Sequence, residues 1–418
     1  MKKTLLAISL SCLLAACGGG SSDNDSSNGG PSDGNPPTSN LQTGVLTDGP
    51  VGNVRYETSS GVKGFTNERG EFEYKAGDSV TFYLGNIELG TTTAQAHITP
   101  IELSEDENIR TNLLILLQSL DKDQDHSNGI AISNDAIEAL ADKTLNLSLP
   151  TVSFVADSTL KKVLEDLKLV LVSEEDAKNN FFYNFIKDNA GAWVLEDKTD
   201  NSKVILYIDD NITLSDEHVF NFILGETAPS DDVGQSGIEK GKMHWNPTTG
   251  QLSRPLNHPE FEIDTNGEWG LSHPQENFTL AYGVTKDTLI LKEGESTHTF
   301  KKAENKANSV VGTWVTEGLV VNLASDKSFM TLSTENDECA SPGIESGTYN
   351  FGQDFIQAMT ITTETSGCAG LVDTWGDFDH GQYTRDKFGL LLNGNSLTIT
   401  YKDEETGEVN VPVIFAKK

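Results

Sequence analysis

The apolar positions in the first part of the chain alternate with polar ones, as they do in β-strands. Between residues 41 and 101 short apolar runs are separated by turn residues, and within one run Phe72 and Tyr74 share a face. Short strands at intervals of about 8–12 residues are typical of a β-sandwich. We therefore predict a sandwich over residues 41–101.

The period changes after Thr99-Pro100, where apolar residues begin to recur every three or four positions. This spacing predicts a helical connector over residues 102–190. The predicted helices are Glu107–Leu120, Asn134–Asp142 with Asn134 as its N-cap, Ser158–Val172 and Ser173–Asp188. The densest aromatic run is Phe181, Phe182, Tyr183 and Phe185. It is too crowded for a surface stripe, so we expect it to pack against another domain; a ligand shelf is the alternative.

Strand patterns then return twice. Gly191-Ala192-Trp193 opens one half and Gly312-Thr313-Trp314 opens the other, and the segments 241–245 and 347–351 also correspond. A self-similar period of 106–121 residues predicts two copies of one β-domain, over 191–304 and 305–418. A Gly-x-Trp start followed by up-and-down strands resembles lipocalin-like barrels. The resemblance implies that each tryptophan closes one end of a barrel.

The sandwich motifs carry a second resemblance. Gly-x-Phe-x-Tyr at 70–74 and Gly-Asp-x-Val-x-Phe at 77–82 resemble carboxypeptidase-regulatory-like or Cna-B-like modules. Residues 41–190 look still more like the N-terminal modules of gammaproteobacterial surface lipoproteins labelled adhesin-like. These motifs consist of turn and core residues, so they imply a fold rather than an activity. The fold class is therefore predicted as mainly β and multidomain: a sandwich, a helical connector and two barrel-like antiparallel domains.

The N-terminus has the features of an export signal. Lys2 and Lys3 precede an apolar stretch of 13 residues, which is shorter than the ~20 residues that span a bilayer. Leu14-Ala15-Ala16-Cys17 resembles the bacterial lipobox, which implies a signal peptide over 1–16 and a lipid on Cys17. Gly18 after the cysteine favours the outer membrane by the same resemblance. A secretory leader with an incidental cysteine is the alternative.

Composition limits the partners. Residues 17–40 are rich in Gly, Ser and Asn and are expected to form a flexible tether after the lipidated cysteine. The chain has 63 acidic and 30 basic residues, a net charge of −33. So negative a chain repels phosphate backbones, which argues against a nucleic-acid partner. The expected partners are a membrane, through the N-terminal lipid, and an extracellular, glycan or small-molecule ligand.

Two cysteines remain after the leader and its anchor. Cys339 and Cys368 are predicted to form a disulfide, because an even pair in an exported chain usually does. Free thiols and half of a metal site are the alternatives.

One acidic loop could bind a cation. Asp121, Asp123 and Asp125 follow a predicted helix at alternate positions, and Asp135 starts the next one. Ca²⁺ takes six to eight oxygen ligands, so a loop that wraps these carboxylates predicts a weak calcium site. A solvated acidic loop that caps two helices is the alternative.

The sequence shows no activated nucleophile and no histidine-bearing metal triad, and we assign no catalytic residue. Trp245, Trp269 and Trp375 are candidates for sugar stacking or for barrel core. We expect an adhesin-like binding protein without catalysis. The alternative is an envelope hydrolase or accessory enzyme that acts on a glycan or another polymer through a carboxylate pair.

Overall fold

A computed structural model describes residues 40–197, 202–212, 217–228, 235–257, 260–267, 270–371, 387–401 and 412–418. The predicted signal peptide, Cys17 and the predicted tether up to residue 39 lie outside these ranges. Within them, no helix is both long enough and apolar enough to cross a membrane.

Two small sheets form the N-terminal part. The strands are β1 Leu41–Leu46, β2 Val51–Gly52, β3 Arg55–Thr58, β4 Lys63–Phe65, β5 Glu71–Lys75, β6 Ser79–Leu84, β7 Ile87–Thr93 and β8 His97–Ile98. One sheet has the order β5-β1-β8 and the other β4-β3-β6-β7, whereas β2 pairs in parallel with Ile130–Ala131 further along the chain. Phe72 of the first sheet packs against Tyr56 and Phe82 of the second, with ring centroids 5.7 and 5.2 Å apart. These rings form the core between the two sheets.

The helices follow in the predicted region with shifted ends. They are α1 Pro100–Leu103, α2 Glu107–Ser119, α3 Asn134–Leu140, α4 Thr151–Phe154, α5 Ser158–Leu167 and α6 Glu174–Asn189, and β9 Ile130–Ala131 precedes α3. The N-cap of α3 is Ser133 and not Asn134, because the Ser133 hydroxyl accepts the Ala136 N–H at 3.1 Å. Helix α5 stops well before Val172, because Lys168 takes a left-handed conformation.

The first barrel-like sheet is nearly closed. Its strands are β10 Gly191–Asp197, β11 Ser202–Ile208, β12 Val219–Thr227, β13 Gly237–Trp245, β14 Leu252–Ser253, β15 Ile263–Asp264, β16 Phe278–Tyr282, β17 Thr288–Glu293 and β18 Ser296–Lys302. The order is β14-β13-β12-β11-β10-β18-β17-β16, and β15 also pairs with β13. A single bridge between Gln251 and Thr279 links the two edges.

The second sheet closes on itself. Its strands are β19 Gly312–Thr316, β20 Leu319–Leu323, β21 Ser328–Ser333, β22 Gly343–Phe351, β23 Phe355–Glu364, β24 Phe388–Asn393, β25 Ser396–Thr400 and β26 Val413–Lys417. They form a closed antiparallel barrel in chain order, in which β26 pairs with β19. The predicted mainly β fold with two barrel-like sheets is confirmed.

Pairing registers relate equivalent positions in the two barrels. Trp193 and Trp314 occupy equivalent positions, and each Nε1 donates to the carbonyl four residues earlier at 2.7 Å. A lysine from the last strand lies over each ring, Lys302 at 5.2 Å and Lys417 at 4.8 Å. In each barrel the tryptophan of the first strand is directly opposite this lysine of the last strand. The first four strands of the two sheets therefore correspond, whereas the first sheet has nine strands and the second has eight within the described residues.

The two barrels differ in what their cores contact. One hydrophobic cluster runs from the N-terminal sheets through the helices into the first barrel, whereas the second barrel holds a cluster of its own. Phe185 of α6 stacks on Trp245 of the first barrel with ring centroids 4.0 Å apart. The aromatic run in α6 thus packs against a barrel, as the sequence predicts. The exact domain boundaries stay predictions.

Candidate functional site: carboxylates beside a repeated loop

A short motif recurs at equivalent places in both barrels. Gly-Ile-Glu occupies 237–239 on β13 and 343–345 on β22. Glu239 Oε2 accepts the Leu271 N–H at 2.8 Å, and Glu345 Oε2 accepts the Leu371 N–H at 2.7 Å. Each glutamate therefore holds a loop that follows the next paired strand.

We call these segments the first rim loop (265–272, of which residues 268 and 269 lie outside the described ranges) and the second rim loop (365–371). Their sequences match after an acidic residue: Thr-Asn-Gly-x-x-Gly-Leu follows Asp264, and Thr-Ser-Gly-x-x-Gly-Leu follows Glu364. Each loop begins with a threonine whose hydroxyl accepts a strand N–H at 2.9 Å, from Ile238 or from Ile344. The two loops therefore start in the same way in both barrels.

Glycine is required where each rim loop passes its glutamate. Gly270 and Gly370 both have positive φ, +80° and +139°. A Cβ atom at Gly270 would lie 2.5 Å from Glu239 Oε1, and one at Gly370 would lie 1.8 Å from Glu345 Oε2. The carboxylate occupies the space that a side chain would need.

The first barrel gathers three carboxylates. Glu226 and Glu239 are buried, whereas Asp264 is partly exposed. Burial raises the pKa of Glu226 to about 8; the hydrogen bond from Asn266 Nδ2 opposes the shift, and the charges of Glu239 and Asp264 add to it. Burial also raises the pKa of Glu239, against the hydrogen bonds from Ser272 and Leu271. A carboxyl group with a pKa of about 8, as at Glu226, is protonated at neutral pH, which is the form a general acid needs.

A serine and a histidine adjoin this group. The Ser272 hydroxyl donates to Glu239 Oε1 and lies 2.7 Å from His273 Nδ1. The same His273 nitrogen lies 4.0 Å from Asp264 Oδ2. The Ser272 backbone N–H also binds Glu239 Oε1, at 2.9 Å. We call the hydrogen bonds by which Glu239 holds the first rim loop, and Glu345 the second, the rim-loop clamps; Ser272 takes part in the first clamp.

The second barrel has a related row of polar groups. Thr331, Glu345 and Glu364 are directly opposite one another on β21, β22 and β23. Glu364 Oε1 accepts from the Ser366 N–H at 2.6 Å and from its hydroxyl at 2.9 Å. Burial raises the pKa of Glu364 to about 7, although these hydrogen bonds oppose the shift. Each barrel therefore has two buried glutamates, of which only Glu239 and Glu345 occupy equivalent positions.

Cys339 and Cys368 are joined by a disulfide, with Cα atoms 5.4 Å apart. Cys368 lies in the second rim loop, at the position of Glu268 in the first. Asp337 is the third member of the one group of three potential metal ligands found within the described residues. The sulfur atoms of the two cysteines in this group are bonded to each other, so the disulfide rather than a metal holds this loop.

The four aspartates of the acidic loop are not gathered at one point. Asp121 is buried and accepts the Ala131 N–H at 2.9 Å, whereas Asp123 and Asp125 are exposed and accept turn N–H groups. Asp135 is exposed in the first turn of α3. No three of their ligand oxygens lie within 4.8 Å of one another. Calcium binding at this loop stays a prediction.

Of the three candidate tryptophans, Trp245 is fully buried and its Nε1 donates to the Leu280 carbonyl at 2.9 Å. It is a core residue. Trp269 and Trp375 lie outside the described residues.

The rim-loop glutamates were not found from the sequence. The available signal was Gly-Ile-Glu followed by an acidic residue, a threonine and Gly-x-x-Gly-Leu in both halves. It is easily missed because the spacing between its two parts differs between the copies. The chain matches no known protein-family model and no curated protein sequence.

Proposed function

We propose that this protein is a non-catalytic, adhesin-like binding protein, attached to the outer membrane by a lipid on Cys17. The observation that carries the proposal is the paired rim-loop clamp: Leu271 on Glu239 and Leu371 on Glu345. A rigid β-scaffold that fixes loops at its edge is a frequent way to present a binding surface. Glu239, whose pKa burial raises, serves in such a clamp.

Binding can be tested with purified protein that lacks residues 1–17. A glycan array and host-cell attachment are the assays, and the exposed Glu338 beside Cys339 is the site to change. We expect Glu338→Arg to weaken attachment, while Glu73→Arg on the exposed face of β5 leaves it unchanged. Equal attachment by both variants, or attachment unaffected by deletion of 191–418, would contradict the proposal.

The lipid anchor is tested separately. Radiolabelled palmitate should enter the wild-type chain and not Cys17→Ala, which should accumulate as a precursor. Equal labelling of the two chains would rule out lipidation at Cys17. The acidic charge of the body supports this arrangement, since it repels an anionic membrane surface.

The alternative function is an envelope hydrolase. The contact of Ser272 with both Glu239 and His273 favours it, because a hydroxyl beside an imidazole can be activated as a nucleophile. Peptidoglycan and envelope polysaccharides are the substrates to try. Hydrolysis that is lost in Ser272→Ala and retained in Ser253→Ala would establish this alternative and overturn the non-catalytic proposal.

A further inference from the structure

The interior of the second barrel contains polar groups that its own apolar core does not explain. Its buried cluster is formed by residues such as Val321, Phe329 and Ile356. Thr331 and Glu345 are fully buried on the same inner face, and Glu364 is only 8% exposed. Placing carboxylates in such surroundings costs free energy unless each oxygen finds a partner.

Two of these groups have an oxygen without a hydrogen-bond partner. Thr331 Oγ1 and Glu364 Oε2 are buried and have no hydrogen-bond partner among the residues that the structure describes. Glu364 Oε1, in contrast, takes both donors that Ser366 offers. Glu364 also forms no ion pair with any residue in the described ranges, so its second oxygen is left for another partner.

The three side chains are neighbours on the inner face of the barrel. They are adjacent across β21, β22 and β23, where Cβ atoms of directly opposite residues lie about 4.5–5.5 Å apart. The point that a Cβ atom of Gly370 would occupy lies 1.8 Å from Glu345 Oε2 and 3.5 Å from Thr331 Oγ1. Glu345 Oε2 and Thr331 Oγ1 therefore both border the place where Gly370 passes, and the glycine there leaves room for the carboxylate.

The first barrel provides an internal comparison. Its register places Leu224 at the position of Thr331 and Asp264 at the position of Glu364. Asp264 is exposed to solvent, and Leu224 offers no oxygen. At these three register positions, a hydroxyl and two buried carboxyl groups therefore occur in the second barrel and not in the first.

We propose that Thr331, Glu345 and Glu364 form a binding site for one hard divalent cation, calcium, inside the second barrel. The unpartnered atoms are oxygens, which are the ligands that calcium prefers. Two carboxylates in an apolar barrel match the charge of a divalent ion. This site is distinct from the predicted calcium loop at Asp121–Asp135 and does not depend on the proposed binding function.

The test is equilibrium dialysis of the full chain against radioactive Ca²⁺ at pH 8, with Mg²⁺ as a separate competitor. Glu364→Gln should bind one ion fewer than the wild type, and Thr331→Val should bind that ion about tenfold more weakly, as expected for loss of one ligand hydroxyl. The matched control Glu317→Gln changes an exposed carboxylate on the same barrel and should bind as the wild type does. Asp123→Ala removes any ion held by the acidic loop, so the two sites are counted separately.

Thermal unfolding distinguishes loss of a ligand from loss of the fold. Glu364→Gln should be at least as stable as the wild type in EDTA and should gain less from millimolar Ca²⁺. Equal numbers of bound ions in the wild type and Glu364→Gln would overturn the site. The site would also be overturned if Ca²⁺ stabilised the wild type only by the amount that Asp123→Ala removes. Protons or water, and not calcium, would then be the partners of these oxygens.

Discussion

At the scale of single residues, the buried carboxyl groups set the pH response of this protein. Glu226 has a raised pKa, about 8, and Asp78 has a lowered one, about 2. The first results from burial, and the second from hydrogen bonds with the Lys75 N–H and the Ser60 and Ser59 hydroxyls. The two groups therefore affect stability in opposite pH ranges.

Glu226→Gln tests the raised pKa. Because the folded protein holds the proton more tightly than the unfolded chain, the contribution of Glu226 is present below about pH 4.5 and is lost as the pH rises through 8. The difference in unfolding free energy between variant and wild type should therefore change in favour of the variant, by up to ~1.4 kcal/mol per pH unit in this window. Urea unfolding at pH 5, 7 and 9 measures it.

Asp78→Asn is the control with the opposite sign. Its lowered pKa means that the stabilising contribution is present above about pH 4 and is lost as the pH falls through 2. The variant should be less stable than the wild type at pH 7 and should approach it under acid conditions. A pH-independent difference for Glu226→Gln would mean that this carboxyl group is not held protonated.

Asp48 offers a second test of a buried acid. It is fully buried, both of its carboxyl oxygens accept from Gln118 Nε2, and burial raises its pKa well above the usual value. Asp48→Asn keeps an acceptor for Gln118 and should be as stable as the wild type at pH 7. Asp48→Ala leaves the Gln118 amide without this partner and should cost about 1–3 kcal/mol in chemical unfolding. Equal losses in the two variants would contradict the result.

At the scale of elements, sequence patterns predict what depends on neighbours along the chain. Phe72 and Tyr74 alternate toward the core, and Ser173 caps α6 by accepting the Asp176 N–H. Both features are visible in sequence because strand alternation and helix capping involve residues only a few positions apart. The predicted end of α5 at Val172 is wrong. A left-handed residue ends the helix at Lys168, and such a position is usually recognised in sequence by a glycine, which is absent here.

The rim loops show why the remainder could not be predicted. Glu239 is 32 residues from Leu271 in sequence, and Glu345 is 26 from Leu371. Such contacts depend on which strands pair, and hydrophobic periodicity does not specify that. In the sequence, a glutamate exposed to solvent looks the same as a buried glutamate that holds a loop, such as Glu239. The carboxylates that organise the barrels were therefore indistinguishable from the many exposed ones.

The acidic loop gives a prediction at this scale. If Asp121, Asp123, Asp125 and Asp135 bind Ca²⁺, millimolar Ca²⁺ should raise the melting temperature of the wild type and Asp123→Ala should lose that part of the increment. Ligand binding to the folded state adds about 2.7 kcal/mol at a hundredfold excess over the dissociation constant. Asp142→Ala, an exposed acid beyond α3, is the control. An unchanged increment in Asp123→Ala would show that the loop only caps its helices.

At the scale of the whole molecule, the two barrels pack through equivalent outer faces. A separate hydrophobic cluster joins them: Ala192, Ile205, Tyr207 and Ile238 from the first, and Val320, Met330, Leu332 and Ile344 from the second. Ile205 corresponds to Val320 and Ile238 to Ile344 in the pairing registers. The interface has the self-complementary character of a twofold dimer, formed here within one chain.

Gly225 marks the centre of this arrangement. Its equivalent in the second barrel is Leu332, and the two residues are also in contact: a Cβ atom at Gly225 would lie 2.8 Å from Leu332 Cγ. A contact between equivalent positions places them at the local twofold axis. Leu332 of the second barrel fills the space that Gly225 of the first barrel leaves open. Two leucines at these positions would overlap.

Gly225→Val should therefore separate the barrels without unfolding either one. The added methyl groups overlap Leu332, and overpacking of this kind costs about 1–3 kcal/mol. We expect the two barrels to unfold in separate transitions, and limited proteolysis between Lys302 and Asn308 to release the second barrel faster than in the wild type. Leu332→Ala in the same chain should restore joint unfolding, because the pair then exchanges its large and small members. Leu391→Ala, on the exposed outer face of the second barrel, should change neither measurement. Rapid proteolysis that persists in the double variant would show that Gly225 is needed for its backbone rather than for the contact with Leu332.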